Sequence, residues 1–326
     1  MNSRPFIQVQ NLVKHFPLKA GLFSRGAEKV HAVNGVSLCI EKGQTLGLVG
    51  ESGSGKTTTA RLLLRVIEPD SGLFSFGDTP DVFRLRQPEL KKLRRNMQYI
   101  FQDPYASLDP KMQIGDIVTE PLRYGSEDGK KLSSRAAAET AAALLERVGL
   151  SGGDIRKYPH EFSGGQRQRI SIARALSAKP AFIVCDEPVS SLDVSIQSQI
   201  LNLLLDIQEE MGISYLFIAH NLAVVFYLSD HVSVMYAGRI VESGPSRLLC
   251  TGARHPYTQL LLDTMPGNSG GGGGAADTGE PPSLIRLPSG CAFYSRCPKR
   301  SAACEKEVPS LTEAENGHHV ACFHAQ

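Results

Sequence analysis

The chain has no long apolar run and little net charge, and each absence narrows the range of functions. No apolar segment approaches the ~18–20 residues that a membrane-spanning helix needs, and the first residues lack the apolar region of a secretory signal. We therefore expect a soluble chain that serves a membrane only by binding to separate membrane subunits. The formal charge of +2 is too close to zero to indicate nucleic acid as a principal partner.

Length and composition set the size of the fold. The chain has 326 residues, of which 41% are hydrophobic, so it can bury a substantial core in one large domain and still hold a small appendage. Four of its seven cysteines fall in residues 291–322, so cysteine use is concentrated near the C-terminal end.

The segment GESGSGKTT at Gly50–Thr58 has the spacing of a phosphate-binding loop. It follows an apolar run short enough for a buried strand and precedes a helix-like segment. Glycines let backbone N–H groups close around phosphate oxygens, and the helix N-terminus adds positive potential. Lys56 would contact the β- and γ-phosphates, and the Thr57 hydroxyl would bind Mg²⁺. The predicted ATP-binding residues of this loop are Gly50, Glu51, Ser52, Gly53, Ser54, Gly55, Lys56, Thr57 and Thr58.

An acidic pair follows a second short apolar run. Residues Phe182–Cys185 predict a central parallel strand, and ligands of open α/β sheets bind beyond the carboxyl ends of such strands. Asp186 is suited to bind Mg²⁺, and Glu187 is suited to polarise the attacking water as a general base. Taken alone, such a pair is often a solvated strand end, but the phosphate loop favours the catalytic interpretation.

A second phosphate-binding motif, FSGGQRQ at Phe162–Gln168, lies about a hundred residues after the first. Ser163 is a good N-cap for the helix-like segment that follows, and the glycines after it expose N–H groups at the positive end of the helix dipole. A chain folded on itself has little use for a second anion site. With this motif the chain resembles the ATP-binding subunits of ABC transporters, and the motifs span roughly residues 7–265.

The resemblance implies that the nucleotide is shared between two chains. The signature segment of one chain would cap the γ-phosphate held by the phosphate loop of the other, and a loop aspartate in SSLD would cross the interface. One loop and one signature per chain then require a second ABC ATPase subunit, which in the peptide branch is often similar but not identical. The predicted partner-site residues are Ser163, Gly164, Gly165, Gln166 and Asp193.

The resemblance also assigns roles to three isolated residues. Phe16 would stack on adenine, and a core phenylalanine at a strand end is the competing interpretation. Gln102 would reach the Mg²⁺ ion and the attacking water. His220, after the apolar run ISYLFIAH, would contact the γ-phosphate, whereas without the resemblance it reads as a structural hydrogen-bonding residue. The implied catalytic residues are Glu187, His220 and Gln102, and the implied Mg²⁺ ligands are Thr57, Gln102 and Asp186.

Together the motifs predict an α/β fold, a P-loop NTPase core of the ABC ATPase type with a mixed sheet. We expect a nucleotide-binding domain over residues 1–266, with an inserted helical subdomain at about 103–178. A Gly/Pro-rich linker over 267–282 and a small Cys-rich C-terminal extension over 283–326 would follow. The segment RHPYTQLLL at Arg254–Leu262 resembles the start of the C-terminal extension in dipeptide/oligopeptide importers.

The cysteines of the extension, spaced C-x₅-C-x₆-C-x₁₇-C, predict a metal site. Reducing cytosol argues against disulfides, clustering argues against unligated structural cysteines, and so short a segment has too little core to fold alone. The wide spacing and the importer resemblance favour a [4Fe–4S] cluster, with Zn²⁺ as the alternative. Because a glycine tether separates the extension from the ATPase motifs, we expect a structural or assembly role for it. The candidate ligands are Cys291, Cys297, Cys304 and Cys322, and His318, His319 and His324 are interpreted as bystanders.

The expected function is ATP hydrolysis that powers uptake of dipeptides or oligopeptides across the inner (cytoplasmic) membrane. The expected partners are two transmembrane permease subunits and an extracytoplasmic peptide-binding protein besides the second ATPase, with the chain peripheral at the cytoplasmic face. Similar importers carry nickel chelates, glutathione or antimicrobial peptides. A DNA-repair ATPase would separate the motifs by a long heptad-rich coiled coil, and a ribosome-associated ABC protein would carry two sets of motifs, and neither pattern is present.

Overall fold

The computed structural model describes residues 5–18, 28–123, 133–265 and 279–325. The predicted linker over 267–282 lies outside these residues except for 279–282. The strands are β1 (Ile7–Pro17), β2 (Lys29–Ile40), β3 (Thr45–Val49), β4 (Ser71–Phe76), β5 (Met97–Ile100), β6 (Phe182–Asp186), β7 (Ser214–Ala219), β8 (His231–Tyr236), β9 (Arg239–Pro245), β10 (Thr312–Glu315) and β11 (His318–Val320).

The helices alternate with the strands over much of the chain. They are α1 (Lys56–Leu63), α2 (Gln87–Leu93), α3 (Pro104–Ser107), α4 (Ile114–Arg123), α5 (Ser134–Arg147), α6 (Gly164–Ser177), α7 (Val194–Met211), α8 (Leu222–Leu228), α9 (Ser246–Gly252), α10 (Pro256–Asp263) and α11 (Ala302–Lys306). Within the described ranges, none is both long enough and apolar enough to cross a membrane.

The chain divides into two compact units that alternate along the sequence. The first unit consists of Met1–Ile40, Thr45–Phe83 and Ile218–Gln326, and the second consists of Glu41–Gln44 and Arg84–Phe217.

The first unit combines an antiparallel sheet with strands of mixed direction. β1 pairs antiparallel with β2 on one side and β4 on the other. The remaining strands run in the order β10-β11-β9-β8-β3, with β3 parallel to β8 and the other pairs antiparallel. Every residue of β3 is buried, as expected for a parallel strand that is covered on both faces. The mixed sheet predicted from the sequence is therefore confirmed, and the carboxyl end of β3 leads directly into the phosphate loop.

The second unit contains parallel strands and a group of helices. β5 and β6 are parallel, and the strand order is β7-β6-β5. All five residues of β6 are buried. Within the described part of residues 103–178, every regular element is helical. The helices α4, α5 and α6 pack on one another through side chains that are fully buried, among them Ile117, Leu145 and Ile170.

The Cys-rich extension is part of the first unit. β11 pairs antiparallel with β9, placing His319 opposite Ser243 and Val320 opposite Glu242. Phe293 and Val320 are each 2% exposed. Residues 279–325 therefore belong to the same compact unit as the phosphate loop, while the domain boundaries drawn from the sequence stay a prediction.

Candidate functional site

The phosphate loop joins β3 to α1, and two glycines set its path. Gly50 has a φ of 151° and Gly55 a φ of 108°, values that side chains disfavour. A Cβ on Gly50 would lie 2.1 Å from the carbonyl oxygen of Met235, and a Cβ on Gly55 would lie 2.2 Å from that of Ala32. The loop therefore rests directly on the backbone of β8 and β2, and a larger residue at either position would displace it.

Lys56 begins α1 and is held by the loop that precedes it. Its Nζ donates to the carbonyl oxygens of Gly50 at 2.8 Å and Glu51 at 2.9 Å, and to Ser54 Oγ at 3.4 Å. Only 5% of Lys56 is exposed. A cation is thus fixed at the helix N-terminus, where backbone and dipole already favour an anion. The remaining predicted loop residues lie at the exposed tip or half-buried on α1, namely Ser52, Gly53, Thr57 and Thr58.

Glu51 connects the loop to the C-terminal part of the chain. Its two carboxylate oxygens accept hydrogen bonds of 2.9 Å from Arg296 Nη1 and Nη2, and its N–H donates to Tyr257 Oη at 2.8 Å. Hydrogen bonding to Glu51 raises the pKa of the Arg296 guanidinium. The Cys-rich extension therefore contacts the ATPase motifs directly, although a glycine tether separates the two in the sequence.

Aromatic rings surround this ion pair. The ring centroids of Tyr236, Tyr257 and Phe293 lie 4.5–5.5 Å apart. The Arg296 guanidinium lies 5.8 Å from the ring centroid of Tyr236 and 5.6 Å from that of Phe293. The guanidinium is therefore packed as well as paired, which orients it toward Glu51.

Glu242 of β9 holds the HPYT segment in place. It is completely buried, and its carboxylate accepts hydrogen bonds from the backbone N–H of Arg254 at 2.6 Å and of His255 at 3.2 Å. Its Oε1 also lies 2.8 Å from His318 Nε2. His255 Nδ1 accepts the N–H of Tyr257 at 3.1 Å and so caps α10. Burial lowers the pKa of His255 to about 4.

The acidic pair lies at the end of β6 in the second unit. Asp186 is 3% exposed, and its Oδ2 accepts a 2.5 Å hydrogen bond from Tyr99 OH. Glu187 has a φ of 48°, a left-handed conformation that is uncommon for a residue other than glycine. Its Oε2 accepts a 2.8 Å hydrogen bond from Gln102 Nε2. The structure therefore places Gln102 beside the acidic pair Asp186–Glu187.

The signature motif opens α6, also in the second unit. Ser163 is the N-cap, as predicted: its Oγ accepts the N–H of Gln166 at 3.4 Å, and Gln166 Oε1 accepts the N–H of Ser163 at 2.9 Å. A Cβ on Gly165 would approach Ile196 Cγ2 to 2.6 Å. Ser163 and Gln166 are exposed, so the first turn of α6 presents its polar groups to solvent.

Three further predicted residues are exposed to solvent. Phe16 lies on β1 with 36% of its surface exposed and with Lys14 Nζ 5.5 Å from its ring centroid, so it is not a core residue. Asp193 is exposed directly before α7. His220 is exposed directly after β7.

The four cysteines of the extension lie within electrostatic reach of one another. Burial, together with the nearby thiols of Cys304, Cys297 and Cys322, raises the pKa of Cys291 to about 11. None of them forms a disulfide. Over the described ranges, however, no three His, Cys, Asp or Glu side chains group as ligands of a metal ion.

Family models match two regions of the chain. One, described as ABC transporter, matches residues 33–190, and one, described as oligopeptide/dipeptide transporter, C-terminal region, matches residues 241–304. The probable peptide ABC transporter ATP-binding protein y4tS of Sinorhizobium fredii is 47% identical over 322 residues, which is 98% of this chain and 90% of the relative. The chain belongs to the ABC transporter ATP-binding proteins of the peptide importer type.

Further relatives and solved structures agree with this ABC ATPase assignment. The chain is 43% identical to the oligopeptide transport ATP-binding protein AppF of Bacillus subtilis, with 98% of each chain covered. It is 44% identical to the dipeptide transport ATP-binding protein DppF of Haemophilus influenzae, with 98% of this chain and 97% of the relative covered. The dimeric ATP-binding cassette MJ0796 bound to ADP and Pi is similar in structure, with a TM-score of 0.64 and 26% identity over 74% of this chain and 99% of the cassette.

Several residues that shape the ABC ATPase site were not found by sequence reasoning. Tyr99 contacts Asp186 across 87 positions, and Arg296 contacts Glu51 across 245 positions. The sequence indicates Tyr257 only as part of HPYT, and it does not indicate Glu242. No motif in the sequence predicts the contacts of these residues, because their partners lie far away along the chain or outside any recognised motif. Their roles are therefore visible only in the folded structure.

The low pKa of His255 predicts a pH-dependent stability. An unfolded histidine with a pKa of 6.5 takes up a proton that the buried His255, with a pKa of about 4, does not. The unfolded state therefore binds more protons between these values, and the free energy of unfolding should fall as the pH falls, by at most about 1.4 kcal/mol per pH unit. His255→Asn keeps an acceptor for the Tyr257 N–H. Between pH 7 and pH 5, the midpoint of its urea unfolding should therefore fall by less than that of the parent chain.

The matched control for this prediction is His160→Asn, because His160 is exposed. That variant should keep the pH dependence of the parent chain. An equal shift of the urea midpoint in His255→Asn and in the parent chain would show that His255 is not the group responsible.

Proposed function

We propose that this ABC ATPase hydrolyses ATP to power the uptake of dipeptides or oligopeptides across the cytoplasmic membrane. The observation that carries the proposal is the glycine-closed phosphate loop, in which Lys56 is 5% exposed and bound to loop carbonyls. The cargo class follows from relatives named as peptide, oligopeptide and dipeptide transport proteins. Membership of this family argues against the DNA-repair and ribosome-associated alternatives.

ATP would bind with its phosphates in the phosphate loop. The β- and γ-phosphate oxygens would take the Lys56 hydrogen bonds that Gly50 and Glu51 now accept, while loop N–H groups contact the same oxygens. Adenine would stack on the exposed face of Phe16. The ATP-binding set is the one predicted from the sequence, Phe16, Gly50–Thr58 and Asp186.

Mg²⁺ would be held by oxygen ligands from Thr57, Gln102 and Asp186. A hydroxyl, an amide and a carboxylate are the donor types that this hard cation prefers, so the residues fit the ion. When bound, Mg²⁺ would neutralise phosphate charge. Tyr99 OH, 2.5 Å from Asp186 Oδ2, would fix the orientation of that carboxylate.

Glu187 is the proposed general base. It would accept a proton from the water that attacks the γ-phosphorus. The Gln102 amide, whose Nε2 lies 2.8 Å from the Glu187 carboxylate, would orient that carboxylate and the attacking water. Its left-handed backbone costs on the order of 1 kcal/mol, and such conformations cluster at functional sites. His220 would contact the γ-phosphate.

A second ATPase subunit would complete the site. The capped first turn of α6 offers N–H groups at a helix N-terminus, and Ser163, Gly164, Gly165 and Gln166 would contact the γ-phosphate bound by the other subunit. Asp193 would lie at the same interface. The similar cassette MJ0796 has been solved as a dimer with ADP and Pi, which supports two chains sharing nucleotide.

The remaining partners follow from importer architecture. Two transmembrane permease subunits would hold the ATPase pair at the cytoplasmic face of the membrane, and an extracytoplasmic peptide-binding protein would deliver cargo. Closure of the ATPase pair on ATP would move the permease, and hydrolysis would reset it.

We further propose that Cys291, Cys297, Cys304 and Cys322 hold a [4Fe–4S] cluster. Four thiolates are the usual ligands of such a cluster, and the mutual electrostatic effects of these thiols support their assembly in one place. The thiols would have to close in further, because the described residues do not group as metal ligands. Zn²⁺ is the alternative ion.

Glu187→Gln should keep ATP binding and lose turnover. The loop around Lys56 is untouched, while loss of a general base lowers the rate by about 10²–10⁴-fold. ATP hydrolysis and peptide uptake should be measured in liposomes that contain the ATPase pair and the permease, with peptide-loaded binding protein present. We expect ATP affinity within about 3-fold of the parent, and a closed ATPase dimer trapped with ATP.

Glu209→Gln is the control, since Glu209 is exposed on α7. It should hydrolyse ATP and import peptide like the parent. Turnover of Glu187→Gln within a few-fold of the parent would remove Glu187 from the role of base. Uptake of a nickel chelate or of glutathione, but not of peptide, would contradict the proposed peptide cargo.

Chain purified without oxygen should be brown, with roughly four irons per chain and broad absorbance near ~400 nm. Cys297→Ser should lose the colour and the iron. Cys250→Ser, which changes an exposed cysteine on α9, should keep both. About one zinc per chain without iron would replace the cluster by a zinc site, and absence of any metal would contradict the metal proposal.

A further inference from the structure

The phosphate loop is bonded to the Cys-rich extension through one residue, Glu51. Arg296, which lies in the short stretch between Cys291 and Cys297, donates two hydrogen bonds of 2.9 Å to the Glu51 carboxylate. It also donates to Tyr236 OH at 3.3 Å. The parallel, two-bond geometry fixes both the position and the orientation of the carboxylate, which a single contact would not.

Burial makes this pair more than a surface contact. The Arg296 side chain is 3% exposed and that of Glu51 is 28% exposed. Surface ion pairs contribute little because water and salt screen them, whereas a guanidinium enclosed by the rings of Tyr236 and Phe293 is largely shielded. Loss of one partner would leave the other without its main counter-charge in a partly dry site.

Glu51 is held by all of its polar groups. Its side chain binds Arg296, its N–H donates to Tyr257 Oη at 2.8 Å, and its carbonyl oxygen accepts from Lys56 Nζ at 2.9 Å. Glu51 therefore fixes the plane of the first peptide units after Gly50. These units carry the backbone that turns toward the phosphates, so their orientation decides how well the loop is arranged before ATP arrives.

We propose that Arg296 is a positioning residue for the phosphate loop, so that ATP affinity depends on the packing of the Cys291–Cys304 segment. The proposal rests on ATP binding at this loop. An intact Arg296–Glu51 pair preorganises the loop and tightens ATP binding. By thermodynamic reciprocity, bound ATP stabilises the segment that carries Arg296. The extension is thus part of the nucleotide site's support and not only an assembly device.

The test compares ATP affinity of the full chain with and without the pair. Arg296→Met keeps the approximate volume of the side chain and removes its charge, and Glu51→Gln breaks the same pair from the loop side without changing a residue of the extension. We expect each to weaken binding of a fluorescent ATP analogue, and to raise the KM for ATP, by about tenfold, with kcat within about 3-fold. Arg296→Lys should recover part of the affinity.

A double-variant cycle separates coupling from general damage. The combination of Arg296→Met and Glu51→Gln should bind ATP about as well as either single variant, because the pair is already broken. Arg300→Met is the matched control, since Arg300 is an exposed arginine of the same segment whose guanidinium lies 5.8 Å from the ring centroid of Tyr294. It should bind ATP like the parent.

Hydrogen exchange supplies a readout that a purely structural role would not change. ATP should slow backbone exchange of residues 291–304 in the parent chain and in Arg300→Met, and should not do so in Glu51→Gln. If Arg296→Met fails to fold, Glu51→Gln still tests the coupling. Parent-like ATP affinity in Glu51→Gln, or additive losses in the double variant, would overturn the inference. Failure of the parent chain itself to bind ATP would instead overturn the proposed function.

Discussion

The close approach of the phosphate loop to the backbone of β8 and β2 is the constraint on which the site depends. Gly50 and Gly55 leave no room for a Cβ against the carbonyl oxygens of Met235 and Ala32. This contact turns the chain sharply from β3 into α1, and the turn brings Lys56 back over its own loop. The loop cannot be arranged by its own sequence alone, because it rests on the backbone of β2 and β8, which lie outside it.

The same loop is also held by hydrogen bonds from the C-terminal part of the chain. Glu242 fixes His255, and the HPYT segment then presents Tyr257 to Glu51. The pairing of β11 with β9 packs the extension on this unit, and Arg296 completes the support. The region matched by the oligopeptide/dipeptide C-terminal model therefore contacts the phosphate loop directly. This contact is a physical link between that region and the ATPase site.

The parts of the site that depend on local motifs could be predicted from the sequence, whereas the parts that depend on long-range contacts could not. The loop spacing predicted Lys56, the N-cap preference predicted Ser163 at the start of α6, and an apolar run predicted Asp186 at the end of β6, because each depends on neighbours within a few residues. Arg296 and Tyr99 act through partners 245 and 87 positions away, so no spacing could reveal them. The glycine tether likewise indicated a separate tail, because composition alone does not reveal the pairing of β11 with β9.

We propose that the site for ATP bound at the Lys56 loop of one chain is completed by the signature segment of another. The most direct measurement is a structure of the assembled transporter with ATP trapped by Glu187→Gln. We expect the γ-phosphate within hydrogen-bond distance of Lys56 Nζ in one ATPase subunit and of the Ser163–Gly165 segment in the other. A structure in which ATP is bound at the Lys56 loop while Ser163 is remote from every nucleotide would contradict the account.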